Sequence, residues 1–156
     1  MPPAAPPLDD LDRRLLRRLQ RDAAQPLEAL GAEIGLSRNA VWRRVRRLEE
    51  AGLIRGRVAL VDAGRLGLGL TVFIAIRTDR HDPAWLDAFA AAVRDLPEIA
   101  GCYRVSGDID YLLRARVADM RDYDRLYQRL IRKVPLADVS ASFVMEEIKE
   151  TTEVPV

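Results

Sequence analysis

The sequence holds one cysteine, Cys102, and one histidine, His81. A single thiol excludes an internal disulfide and any multi-cysteine zinc site. A single imidazole in a polar loop excludes a histidine relay or metal cluster, and solvation is its expected fate. No apolar run approaches the roughly 18 residues of a membrane span. The longest uncharged stretch, Leu66 to Ile76, is broken by Gly67 and Gly69. The opening Met-Pro-Pro-Ala-Ala-Pro-Pro has no basic segment followed by an apolar one, so it does not read as a secretory signal. Residues 1–7 are expected to form a disordered arm. The glycines of Gly64 to Gly69 precede a strand rather than a helix, which excludes a phosphate loop or a dinucleotide fingerprint. The expectation is a cytoplasmic protein with no metal, no cofactor and no membrane partner. Cys102 falls in a strand pattern and is expected to be buried packing.

What is present is basic charge in one place. The formal net charge is only +1, yet residues 1–64 carry 12 arginines against 9 acids. Between Ser37 and Arg57 there are 7 arginines and 2 acids, a local charge of +5. A nearly neutral chain with one basic segment does not coat nucleic acid indiscriminately, but it can set a positive face on a phosphate backbone.

Periodicity divides the chain into residues 8–57, a linker over 58–68, and residues 69–156. Leu8, Leu11, Leu15 and Leu19 mark one helical face, with Asp9, Asp10 and Asp12 where a helix N-terminus favours negative charge. Pro26 opens a second helix through Leu27, Leu30 and Ile34, and Gly35 closes it. Ser37 caps a third helix over about Arg38 to Ala51, ended by Gly52 ahead of a β wing at Leu53 to Arg57. These elements make a winged helix-turn-helix. Beyond the linker the order is strand 70–77, helix 83–94, strands 99–105 and 111–117, helix 120–133 and strand 139–148. The second helix is expected to turn Met120, Tyr123, Leu126, Tyr127, Leu130 and Ile131 inward. The fold class is therefore α+β, a winged helix-turn-helix followed by a ferredoxin-like βαββαβ domain. That domain leaves one sheet face bare, and a second copy is its expected cover, giving a homodimer.

On the third helix Ala40, Val41, Val45 and Leu48 share one side, while Arg38, Asn39, Trp42, Arg43 and Arg46 share the other. Guanidinium groups bond guanine edges or phosphate in pairs, and asparagine does the same with adenine. Double-stranded DNA is the expected partner. Arg38, Asn39 and Arg43 are expected at base edges, Arg46, Arg47 and Arg57 on phosphates, and Ser37 as both cap and phosphate donor. A solvated helix with Arg44 and Arg47 tied to acids of neighbouring helices is the plainer reading. Trp42 is open between a sugar or thymine-methyl contact and packing against the wing. Asp108 or Asp110, with N–H groups around Gly107, has the chemistry to hold an amino acid, although Gly107-Asp108 would equally serve a hairpin turn. An enzyme would need convergent ionisable groups, which this sequence barely offers; Glu146-Glu147 reads as edge charge rather than a catalytic pair. A ligand-binding module that has lost DNA affinity is at odds with the seven arginines.

Three segments, Gly35 to Ile54, Val105 to Leu113 (Val-Ser-Gly-Asp-Ile-Asp-Tyr-Leu-Leu) and Phe143 to Lys149 (Phe-Val-Met-Glu-Glu-Ile-Lys), together resemble the leucine-responsive regulator and AsnC (Lrp/AsnC) family of transcription factors nearly end to end. Leu66 to Thr71 and Thr151 to Pro155 are most similar to the branch containing cysteine-detoxification regulators. The resemblance implies a dimer that assembles to tetramers or octamers and senses a small molecule, usually an amino acid, in control of amino-acid metabolism or transport. It places the effector near Gly107, Asp108, Asp110 and Tyr111, with Ser140 and Ser142 of the last strand at family hydroxyl positions. Two departures stand out. Gly31 replaces the usual alanine of the second helix, at about 1 kcal/mol of helix propensity, and Ala40 replaces a common threonine.

Overall fold

The computed structural model describes residues 7–156; the arm expected over residues 1–7 lies, but for Pro7, outside them. The chain divides into two compact units. Residues up to Leu60 form the first together with Lys149–Val156, and Val61–Ile148 form the second. By their contacts, residues 149–156 of the domain expected over 69–156 group with the helices of the first unit.

In the first unit α1 (Asp10–Arg21) begins with a reciprocal cap. The Asp12 amide donates to Asp9 Oδ1 at 2.7 Å and the Asp9 amide to Asp12 Oδ2 at 3.2 Å, which satisfies two N–H groups that a helix start leaves unpaired. α2 (Leu27–Ile34) ends at Gly35, whose φ of 77° glycine adopts without strain. α3 (Arg38–Glu50) is capped by Ser37, whose hydroxyl accepts the Ala40 amide at 3.3 Å. Leu15, Leu16, Leu30, Ile34, Val41, Val45 and Leu48 form the core between the three helices. Gly31 is required by that packing, because a Cβ there would lie 2.3 Å from the Leu36 carbonyl oxygen. The expected β wing is not formed. The amides of Leu53 and Ile54 both return to the Leu48 carbonyl, and residues 55–62 run on with no strand pairing because no second strand is at hand to close a hairpin.

The second unit has the order β1 (Leu70–Arg77), α4 (Pro83–Arg94), β2 (Ile99–Arg104), β3 (Tyr111–Val117), α5 (Met120–Lys133) and β4 (Asp138–Phe143). The strands lie β2-β3-β1-β4, every neighbouring pair antiparallel, as in the expected ferredoxin-like sandwich. Asp82 and Asp119 cap the two helices through the amides of Trp85 and Asp122, each at 2.9 Å. Val72, Ile74, Ile76, Leu113, Ala115 and Val117 turn one sheet face toward Trp85, Phe89, Leu126 and Leu130. Side chains alternate along a strand, so the register leaves Phe73, Ala75, Leu112, Arg114, Gly101, Tyr103, Ser140 and Ser142 on the other face.

Three details correct the sequence reading. β4 ends at Phe143, not Ile148: β1 begins at Leu70, and after Val144 donates to the Thr71 carbonyl little partner strand remains. Met120 and Ile131 are exposed at the margins of α5. Cys102 is exposed as well, since β2 is an edge strand with one free side.

Candidate nucleic-acid interface and effector turn

The inward row of α3 anchors the helix and leaves its other side in solvent. Trp42 is 53% exposed, so it is not core. Asn39 and Arg43 are exposed, and their side chains have no ion-pair or hydrogen-bond partner among the described residues. Arg38 pairs with Glu28 at 2.7 Å, and Arg46 reaches Glu49 and Glu50 at 3.8 Å. Such solvent-exposed pairs contribute about 0–1 kcal/mol, so phosphate can replace the carboxylate. Arg57 pairs with Glu49 at 3.1 Å from the unpaired segment after α3.

Arg47, expected on a phosphate, also has a partner within the fold. Its guanidinium is tied to Asp12, a buried carboxylate on the first turn of α1. Arg44 bonds the same Asp12 and also Asp9, both at 2.7 Å. A carboxylate removed from water must be paired and hydrogen-bonded, and these two arginines meet that need. They orient α3 on α1, while Asn39, Trp42 and Arg43 face outward. The Asp9 carboxyl is held below its ordinary 3.8 by the Asp12 amide first and by Arg44 next. Sequence reasoning did not single out Arg55, which is exposed and without an ion-pair partner among the described residues. Its only signal was membership in the basic stretch. Nor does it single out Arg14, Arg17, Arg18 and Arg21, because the leucine face and acidic N-terminus of α1 are its stronger local signals.

The expected effector residues fall into three groups. Gly107, at φ 121°, and Asp108 form the exposed tip of the turn between β2 and β3. Asp110 is used within the fold: its Oδ2 accepts the Thr78 amide and its own amide donates to the Ile76 carbonyl, each at 2.9 Å. Tyr111 is buried on the helix side, its ring 4.6 Å from Phe89 and 5.9 Å from Trp85, and its hydroxyl has no partner among the described residues. Ser140 and Ser142 lie on the opposite, bare sheet face, across from Ala75 and Phe73. One chain therefore does not gather the six around a single ligand. A cavity of about 780 Å³ in the same unit is lined instead by residues of 61–69, Pro97, Glu98, Ala100, Arg116 and Glu147.

Among the described residues no cluster of histidine, cysteine or acids could hold a metal ion, and no helix is long and apolar enough to cross a membrane. The Cys102 thiol is pushed above its ordinary 9.0 by partial desolvation, which leaves little thiolate near neutrality.

Residues 8–49 match the AsnC-type helix-turn-helix domain and residues 71–154 match the Lrp/AsnC ligand binding domain. The glutamate uptake regulatory protein of Zymomonas mobilis is 49% identical over 148 residues, covering 95% of this chain and 90% of that protein. An AsnC family transcriptional regulator from Agrobacterium tumefaciens superposes with a TM-score of 0.92 at 47% identity, over 95% of this chain and 97% of that one. A transcriptional regulator from Neisseria meningitidis, solved as its complex with L-Met, superposes with a TM-score of 0.91 at 34% identity, over 96% and 97%.

Proposed function

Since this chain belongs to the Lrp/AsnC family of DNA-binding transcriptional regulators, we propose that it reads an operator through α3 and adjusts that binding to an amino acid, in control of genes of amino-acid metabolism or transport. It is a regulator and not an enzyme. The observation that carries the DNA reading is the exposed row Asn39, Trp42 and Arg43, held outward by the ties of Arg44 and Arg47 to Asp12. Arg43 and Asn39 contact base edges; Arg38, Arg46, Arg57 and the Ser37 hydroxyl contact phosphates. Arg47 positions the helix and adds a phosphate contact from its half-exposed guanidinium.

The amino-acid effector is supported by the L-Met complex of the Neisseria relative and by the Zymomonas relative, a glutamate uptake regulatory protein. The turn at Gly107 and Asp108 is its point of entry, with Asp110 and Tyr111 fixing the turn from within. Ser140 and Ser142 share the bare face with Phe73 and Tyr103, so a second copy is needed both to cover that face and to complete the pocket. The working form is a homodimer in the cytoplasm, assembling further to tetramers or octamers.

Operator titration tests the first half. Arg43→Ala is expected to cost about 1–3 kcal/mol and relax base preference, while Arg57→Ala weakens all sequences alike. Unchanged affinity in both variants removes α3 as the reader. A thermal-shift screen of the twenty amino acids tests the second half, since a ligand of the native state alone raises its stability. Asp108→Ala should abolish that shift and leave unliganded DNA binding intact; a shift by none of the twenty ends the sensing assignment.

A further inference from the structure

The first helix carries more positive charge than a supporting role requires. Arg14, Arg17, Arg18 and Arg21 follow one another at i, i+3, i+4 and i+7, the spacing of a single helical side. With Glu33 and Ile34 of α2 they line a cleft of about 260 Å³. Arg14 donates to the Glu33 carbonyl at 3.1 Å, Arg18 pairs with the Glu33 carboxylate at 3.0 Å, and Arg21 with Glu153 at 3.3 Å. Arg17 donates to the Val156 carbonyl at 2.6 Å. A guanidinium has five N–H donors, and these contacts engage a minority of them. Four cations thus meet two carboxylates, Glu33 within the cleft and Glu153 at the Arg21 end, and Glu33 is further occupied by Gln25 at 3.4 Å.

Like charges gathered in one cleft repel, and an anion with several acceptor oxygens relieves the repulsion. Forked guanidinium donors match phosphate geometry, two parallel bonds at a time. A carboxylate offers only two oxygens to four forks; a phosphate group offers more acceptors and more charge. The cleft is also distinct from the DNA-reading row. α3 meets α1 through Arg44 and Arg47 at Asp9 and Asp12, the cap and first turn, whereas the arginine side extends from Arg14 to Arg21.

We propose that the cleft between α1 and α2 is a phosphate-binding site, additional to the α3 interface, that takes either a backbone phosphate of duplex DNA or a free phosphoanion. Both sources present the same oxyanion to Arg14, Arg17, Arg18 and Arg21, with Glu33 as the carboxylate within the cleft that opposes binding and Glu153 as a second on Arg21. Glu33 therefore gives the site a signature of sign. Removing arginines weakens it and removing the glutamate strengthens it, whereas arginines and glutamate that merely brace α2 against α1 fail together when either is removed.

The experiment compares the full chain with Arg14→Gln/Arg18→Gln, with Glu33→Gln, and with Arg13→Gln, an exposed position of the same helix outside the cleft. One arm measures thermal shift and heat of binding with inorganic pyrophosphate against chloride of equal ionic strength. The other measures the salt dependence of binding to a duplex lacking an operator. In the arm matching the source, the double variant should lose the pyrophosphate response, or lower the slope of log affinity against log salt by about two. Glu33→Gln should tighten the same binding at least about twofold, and Arg13→Gln should change it by less than half as much as the double variant. A response in the pyrophosphate arm alone identifies a free phosphoanion, and one in the duplex arm alone identifies the DNA backbone. Weakening by both the double variant and Glu33→Gln, or no change in either arm, overturns the site. If the double variant does not fold, Glu33→Gln decides by itself: no gain in either arm overturns the proposal.

Discussion

At Gly31 local preference and tertiary packing pull in opposite directions. Alanine is better than glycine in a helix interior by about 1 kcal/mol, so sequence reasoning counts Gly31 as a local weakness of α2. In the fold the Leu36 carbonyl passes where a Cβ would lie, 2.3 Å away, and the Leu36 amide donates to the Gly31 carbonyl at 2.8 Å. Gly31→Ala must displace the turn that sets α3, and thermal melting should show a lower midpoint despite the gain in propensity; a raised midpoint would mean that the turn relaxes freely. Asp9 yields a second expectation. Its carboxyl is held below 3.8 by the Asp12 amide and Arg44, so the folded state binds its proton less readily than the unfolded chain. The stabilisation is complete above the unfolded value and is lost as pH falls through the lowered folded value. Melting midpoints should stay level from pH 7 to about 5 and drop below about 4, and Asp9→Asn, which keeps a capping side chain without a titrating charge, should reduce that drop. An undiminished drop would place the acid-sensitive group elsewhere.

At the scale of elements, capping and periodicity were legible wherever a segment's own residues decide its ends. β1, α4, β3 and α5 have the expected bounds because Asp82, Pro83, Asp119 and the alternation along each strand are local signals. β4 and the wing were misjudged because a strand exists only as far as its neighbour does, and the neighbour is not in the segment. The same limit hid the place of residues 149–156. Gln20 and Val154 exchange two hydrogen bonds, Nε2 to carbonyl at 3.1 Å and amide to Oε1 at 2.7 Å, and Val156 packs on the helical core. Nothing in Thr151 to Val156 as a string announces a partner in α1. Deleting Lys149–Val156 should destabilise the first unit by on the order of 1–2 kcal/mol, the scale of a few exposed hydrogen bonds and a small apolar contact. Amide exchange in α1 should speed up accordingly; unchanged exchange would show that the segment adds nothing to the unit.

Across the whole molecule the chain leaves the first unit after Leu60 and returns to it at Lys149, and the second unit offers a sheet face that no helix of its own covers. Phe73 and Tyr103 are exposed on that face, and Gly101 lets the Tyr103 ring lie over the strand, since a Cβ there would come within 2.9 Å of the Tyr103 hydroxyl. If a second copy covers it, Phe73→Glu sets a charge in an apolar contact. Light scattering should then show monomers and operator affinity should fall, because a lone helix-turn-helix reads one half-site where a dimer reads two; an intact dimer would move the interface elsewhere. The sequence by itself determined the class of fold, the order of its elements and the basic face of α3, because periodicity, caps and charge are properties of neighbouring residues. Only the tertiary structure decided which arginines brace and which face outward, that Tyr111 turns away from Ser140 and Ser142, and that Gly31 must lack a side chain. Each of those outcomes is set by groups far apart in sequence that meet in space, where burial makes an unpaired charge or an extra methyl costly.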